Sequence, residues 1–167
     1  MSDRERFDRL IGAVLEHEGG LADDPDDPGG ITKFGISLRS YPHLGRDGIR
    51  NLTIPQAKDI YYRDWWIKLR CSEIRDDSVA QKYLDTCVNL GPRPGTRILQ
   101  RALGEVGQRV TVDGRIGPQT LAAANRADPG VLITAMRRMQ ASHYESVIMR
   151  NPALAKFRRG WMARAAF

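Results

Sequence analysis

Cysteine is scarce in this sequence. With only Cys71 and Cys87 in 167 residues, at most one disulfide is possible and a bridged framework is excluded. Cys87 falls on an apolar helical stripe and reads as a buried free thiol. His17, His43 and His143 are scattered and none has a cysteine at zinc spacing, so neither a metal nor another cofactor is expected. No apolar run approaches the ~20 residues that cross a bilayer, so stable membrane insertion is not expected. The opening Met-Ser-Asp-Arg-Glu-Arg-Phe-Asp-Arg lacks the basic-then-apolar order of a secretory leader. A target outside the cytoplasm would therefore need another route of delivery. Long alternating stretches, heptads and internal repeats are also missing, which argues against a sheet protein, a coiled coil or a solenoid. The length suits one domain, or a domain with a small appendage, and can bury a real core.

Charge is present but unevenly placed. The formal net charge is +6, and residues 130–167 carry seven basic side chains against the single acid Glu145. That stretch accounts for the whole surplus. Residues 16–27 hold Glu16, Glu18, Asp23, Asp24, Asp26 and Asp27 without a Lys or Arg. A basic flank beside an acidic stretch suits a protein working on an anionic polymer or surface. Nucleic acid is the usual rival for such a charge, but no recognition motif for it is present, so it is not expected as a partner. The plain alternative is a solvated basic face.

Helical periodicity dominates. Phe7, Leu10, Ile11, Val14 and Leu15 form one stripe. At ~100° per residue from Phe7, Glu18 falls about 20° from the stripe's origin and Glu16 near 180°. Glu16 is thus an ordinary surface charge, while Glu18 is a carboxylate on the core face, where desolvation favours the protonated form. Gly19-Gly20 ends the helix and leaves room beside that carboxylate.

Pro25, Pro28, Gly29 and Gly30 predict an irregular loop, and Phe34 and Ile36 a short strand. Thr53-Ile54-Pro55-Gln56 reads as a helix start with a capping box, followed by an apolar face of Ala57, Ile60, Tyr61 and Trp65. Tyr62 and Trp66 either broaden that face or lie along a sugar-binding groove. Val79, Ala80, Tyr83, Leu84, Cys87 and Val88 make a further helical stripe, with Asp85 and Asn89 four apart on one edge. Those two are a surface pair or cleft-lining hydrogen-bonders. Gly91-Pro92-Arg93-Pro94-Gly95 predicts a firm break before a helix near Ile98. Gly117-Pro118 opens a short helix to about Asn125. A long one follows Asp128-Pro129-Gly130, with His143 as a half-buried packing residue, and Asn151-Pro152 closes it. The expected fold class is mainly α.

The chemistry points to residues 16–36. Hydrolysis of a glycosidic bond needs a protonated acid for the leaving oxygen and a second carboxylate that attacks or activates water. Glu18 has the environment of the acid. Asp27, in a charged Pro/Gly loop, is the ionised partner, and Thr32 is placed to hold a water with it. The same division of labour between two carboxylates is seen in lysozyme. Calcium binding by the acidic loop is the alternative, but Asp23-Asp24-Pro25-Asp26-Asp27-Pro28-Gly29 lacks the EF-hand order and its terminal Glu.

Glu18-Gly19-Gly20, then Asp27-Pro28-Gly29-Gly30-Ile31-Thr32-Lys33-Phe34-Gly35-Ile36, closely resembles the signature of glycoside hydrolase family 108. That family comprises N-acetylmuramidases of phage endolysins and prophage-encoded lysis or secretion-activator proteins. The resemblance continues through Ile60-Tyr61-Tyr62 to Trp66, through Asp85-Thr86-Cys87-Val88-Asn89-Leu90-Gly91, and through Gly160-Trp161 near the end. Val112-Asp113-Gly114-Arg115-Ile116-Gly117-Pro118-Gln119-Thr120 resembles the family's C-terminal peptidoglycan-binding segment. The spacing of Glu18, Asp27 and Thr32 is similar to the Glu/Asp/Thr triad of helical phage lysozymes.

The resemblance implies a lysozyme-like helical fold with a short β element after the catalytic helix. It implies a catalytic region over 1–92 and a peptidoglycan-binding-type region over 93–167, packed together. The implied substrate is the β-1,4 bond between N-acetylmuramic acid and N-acetylglucosamine of a peptidoglycan glycan strand. Asp85, Asn89, Phe34 and Tyr62 are the candidate substrate contacts. The implied molecule is a monomer that accumulates in the cytoplasm and reaches the wall through a holin-like pore. A lytic transglycosylase and a non-catalytic wall-binding or secretion-accessory protein are the competing readings.

Overall fold

The computed structural model describes residues 1–23 and 30–167. Eight α-helices and one small antiparallel sheet are found among them, so the chain is mainly α. It divides into two compact units, Met1–Lys68 and Leu69–Phe167.

The first unit begins with α1 (Asp3–Glu18), whose start is fixed by a capping box. Glu5 N–H donates to Ser2 Oγ at 3.2 Å and Ser2 N–H to Glu5 Oε2 at 2.7 Å, which satisfies two otherwise orphaned donors. Phe7, Leu10, Ile11 and Val14 are its buried face, and Leu15, the fifth residue of the expected stripe, is half-buried. Three two-residue strands follow, β1 (Leu21–Ala22), β2 (Thr32–Lys33) and β3 (Ile36–Ser37), in the order β1-β2-β3. Thr32 faces Ala22 on one side and Ser37 on the other. The β2–β3 turn is Phe34-Gly35, at φ 52° and 75°. Two successive positive φ values are what a two-residue type I′ hairpin requires, and Gly35 takes its place there without strain. Gly45–Arg50 then forms the short α2.

Helix α3 (Ile54–Tyr61) starts at the expected Thr53/Gln56 capping box, with Pro55 in its first turn. It then departs from the expected phase. Tyr62–Trp66 is a π-helical turn, closed by Ile67 N–H donating to Tyr62 O at 3.0 Å. A π turn adds one residue per turn, so the position that follows Tyr61 on the core face is five residues on rather than four. Trp66 therefore fills the core and Trp65, expected there, is only half-buried. The Trp66 indole donates to both carboxylate oxygens of Asp3 at 3.0 Å and meets Phe7 edge-on at 5.6 Å.

The second unit contains α4 (Asp77–Leu90), α5 (Pro92–Glu105), α6 (Pro118–Arg126), α7 (Pro129–Arg150) and α8 (Arg158–Ala166). Asp76 and Asp128 cap α4 and α7 through the N–H groups of Val79 and Val131. The expected break over 91–95 is shorter than its Pro/Gly content implied. Only Gly91, at φ 92°, interrupts the helices, and Pro92 and Pro94 lie in the first turn of α5, where a missing N–H costs nothing. Gly95 is where α5 approaches α4. A Cβ there would lie 2.6 Å from Cys87 Sγ and 2.7 Å from Cys87 Cα. Both cysteines are free and buried, and burial pushes the Cys87 thiol up to about 12. No helix among the described residues is long and apolar enough to cross a membrane.

Candidate active site

Glu18 is the last residue of α1 and is half-buried, whereas Glu16 two residues earlier is exposed. Helical phase thus separates the two acids as expected, although Glu18 stands at the rim of the core rather than inside it. The hairpin turn closes over its carboxylate. A Cβ on Gly35 would lie 2.6 Å from Glu18 Oε2 and 2.5 Å from the Tyr61 hydroxyl, so both oxygens reach the same side of the Gly35 α-carbon. The Tyr61 hydroxyl donates to the Phe34 carbonyl at 2.9 Å. This bond ties the end of α3 to the turn and holds the turn against Glu18.

A cleft of about 300 Å³ opens from this cluster, lined by Gly35, Ser40, Tyr41, Tyr61, Asp64 and Trp65 among others. The Tyr61 and Trp65 rings are 6.2 Å apart, and apolar ring faces beside carboxylates and hydroxyls suit a polar, ring-shaped ligand. The Arg63 hydrogen bond holds the Asp64 carboxyl below the usual range, against its partial desolvation, and Lys68 lies 3.3 Å away. Burial, aided by the Asp64 charge, pushes the Tyr41 phenol up, so it stays protonated and can donate.

The other residues singled out from the sequence are placed as follows. Thr32 is half-buried on β2 with its hydroxyl 3.3 Å from the Gly30 carbonyl. Asp27 lies outside the described residues. Asp23, where the acidic stretch leaves β1, forms ion pairs with Arg46 and with Arg50 (2.9 Å) of α2, which gives it an anchoring role. Phe34 is the half-buried first residue of the turn at Glu18.

Tyr62 points elsewhere. Its hydroxyl donates to Asp3 at 3.1 Å and its ring meets Phe7 edge-on at 5.2 Å, near the start of α1. At ~1.5 Å per residue that is about 20 Å along the helix from Glu18. The structure brings Tyr61, not Tyr62, to the acid.

Asp85 lies inside the second unit, and Asn89 is half-buried in it. Asp85 is fully buried and accepts from Arg164 of α8 at 3.0 Å, and Asn89 accepts from the Tyr144 hydroxyl of α7. Thr86 and Gln140 complete the same network. This is the geometry of residues that dock helices, because a buried carboxylate is retained only when paired. The Asp113-Gly114 turn is likewise held from within. Buried Gln100 donates to Asp113 Oδ1 at 2.9 Å and accepts from Gly114 N–H at 2.9 Å. Gly35, Tyr41, Tyr61 as a site residue, Asp64, Trp65 and Gln100 were not singled out from the sequence. A π turn and a hairpin docking on a helix end leave no periodicity from which they could have been found. Among the described residues no group of three His, Cys, Asp or Glu could hold a metal ion.

An acid at a helix end, under a β hairpin and beside an aromatic cleft, suits work on a glycosidic bond. Residues 11–91 match the family described as glycosyl hydrolase 108, and residues 94–166 match a family described as a predicted peptidoglycan domain. The two together make the protein a peptidoglycan hydrolase. The solved structure of SagA from Brucella abortus is similar to the chain at 27% identity and a TM-score of 0.78, covering 98% of this chain and 91% of that one. Comparison with curated proteins gave no match.

Proposed function

We propose that the protein is an N-acetylmuramidase that cleaves the β-1,4 bond between N-acetylmuramic acid and N-acetylglucosamine. Glu18 gives a proton to the leaving oxygen, and Asp27 with Thr32 positions the water that attacks. The observation that carries this reading is the placement of Glu18: half-buried, against Gly35 and the Tyr61 hydroxyl, at the edge of an aromatic-lined cleft. The setting limits the carboxyl's access to bulk water and places it beside the space a sugar ring would fill. Tyr41 and Trp65 supply a wall on which a sugar ring rests.

The test is product analysis with purified sacculi. The native protein should release muropeptides with a free N-acetylmuramic acid reducing end. Glu18→Gln keeps the shape and removes the proton donor, so release should fall at least about a thousandfold, within the range for loss of general acid catalysis. Normal release by Glu18→Gln would sink the assignment. Products with a 1,6-anhydro ring would mean a lytic transglycosylase, which forms them without water and leaves Asp27 and Thr32 dispensable.

A further inference from the structure

Unit two carries a concave site that the hydrolysis reading does not use. A cavity of about 390 Å³ lies between α5 and α7, lined by Arg97 and Arg101 of α5 and by His143, Ser146 and Arg150 of α7. Arg97 and Arg101 are four residues apart and so share one face of α5. Among the described residues no carboxylate lines the cavity. Among the described residues none of the three arginines has a carboxylate partner, and Arg150 reaches only Ser146 Oγ, at 3.5 Å. Some other arginines of the same unit are neutralised, Arg138 by Glu105, Arg158 by Glu145 and Arg164 by Asp85, but Arg97, Arg101 and Arg150 are gathered on one concave surface. Three like charges gathered on one concavity repel one another, a cost that a bound anion would remove. The field is felt locally, since His143 is held below its ordinary pKa by burial and by Arg150 and Arg101.

We infer that this α5–α7 cavity is an anion-binding site that takes oxyanion groups of the cell-wall polymer, with the arginines as its donors. The inference rests on the peptidoglycan-hydrolase reading for the choice of polymer. Every residue of the cavity lies within the stretch that matches the peptidoglycan domain. Guanidinium forks suit both carboxylates, as on peptide stems, and phosphates, as on wall-attached polymers. A site of this kind would hold the enzyme on its insoluble substrate while the cleft of the first unit acts on the glycan.

The experiment is co-sedimentation with insoluble sacculi, using the full chain in the Glu18→Gln background. Three preparations are compared: intact sacculi, sacculi freed of peptide stems by an amidase, and sacculi freed of phosphate polymers by hydrofluoric acid. Arg101→Gln with Arg150→Gln should weaken binding to intact sacculi about tenfold at low salt. Arg101→Lys with Arg150→Lys, which keeps the charge, should bind more tightly than the Gln pair. The preparation on which the unsubstituted protein itself loses binding names the source of the anion. Circular dichroism melting confirms that the substituted chains are folded. The inference is overturned if the Gln pair binds intact sacculi as the unsubstituted protein does, or if neither stripping changes binding. It is also overturned if the arginines matter only for duplex DNA. Reducing-end release by the Glu18 protein is measured beside it. Absence of release with arginine-dependent binding sinks the muramidase reading alone, and release with arginine-independent binding sinks this one alone.

Discussion

Gly35 carries more of the site than its size suggests. It adopts φ 75°, a region that costs a non-glycine residue about 1–2 kcal/mol. Its missing side chain is also the space that Glu18 Oε2 and the Tyr61 hydroxyl occupy. Gly35→Ala should therefore lower the melting temperature by a few degrees and cut muropeptide release by about tenfold or more, because the acid must move to make room. Thermal unfolding read beside sacculus hydrolysis checks this, and an unchanged rate would mean that the turn does not bear on the acid. At this scale the sequence was informative where one helix decides the answer. A phase angle was enough to choose Glu18 over Glu16, because both stand on α1. It was not enough to choose Tyr61 over Tyr62, because that depends on where the hairpin docks, and neither side chain's neighbours are close in sequence.

Elements obey the same distinction. The capping box at Thr53 is a local hydrogen-bond pattern, so its residues announced it, and the Ser2 box and the Asp128 cap are local in the same way. The π turn at Tyr62–Trp66 exchanges the roles of Trp65 and Trp66, and it follows from packing Trp66 onto Asp3, 63 residues away. The α4–α5 contact is another non-local fact. Gly95 meets Cys87 backbone atoms under 3 Å from where a Cβ would stand, and backbone cannot yield as a flexible side chain can. Gly95→Val should destabilise the second unit by about 3 kcal/mol or more, seen as a lower urea midpoint with free Cys87 becoming reactive to thiol reagents.

Helix α8 is docked by a different device. Buried Lys82 of α4 donates to the Ala165 and Arg164 carbonyls at 2.9 and 3.3 Å, placing a cation at the C-terminal end of that helix. Burial, opposed in part by the Asp85 charge, pushes its pKa down from 10.5 to about 8. Between those values the unfolded chain holds a proton that the folded chain has released, so this lysine's contribution to stability is least below pH 8 and grows up to about pH 10.5. Urea unfolding at pH 7, 8.5 and 10 should show native stability rising relative to Lys82→Met across that window. A constant difference would contradict it.

At the scale of the molecule, two divisions of the chain differ. The family matches part between residues 91 and 94, whereas the compact units part between Lys68 and Leu69. The difference concerns α4. Its motif Asp85–Gly91 lies in the stretch that matches the hydrolase family, yet its buried Tyr83, Thr86 and Cys87 and half-buried Asn89 engage Thr96, Gln140, Gly95 and Tyr144 of the second unit. Motif order records ancestry, and it cannot report which neighbours a helix buries its apolar face against. A chain cut after Pro92 would leave α4 without α5 and α7, exposing the stripe of Val79, Tyr83, Leu84 and Cys87, all at or below 1% exposure in the intact molecule. Apolar surface of that extent drives association. The 1–92 fragment should therefore elute as aggregate in size-exclusion chromatography and bind a hydrophobic dye. A 69–167 fragment, which keeps α4 with its partners, should elute as a folded species with a cooperative melt. If 1–92 proved soluble and cooperative while 69–167 did not, the division at Lys68 would not be the one that governs folding.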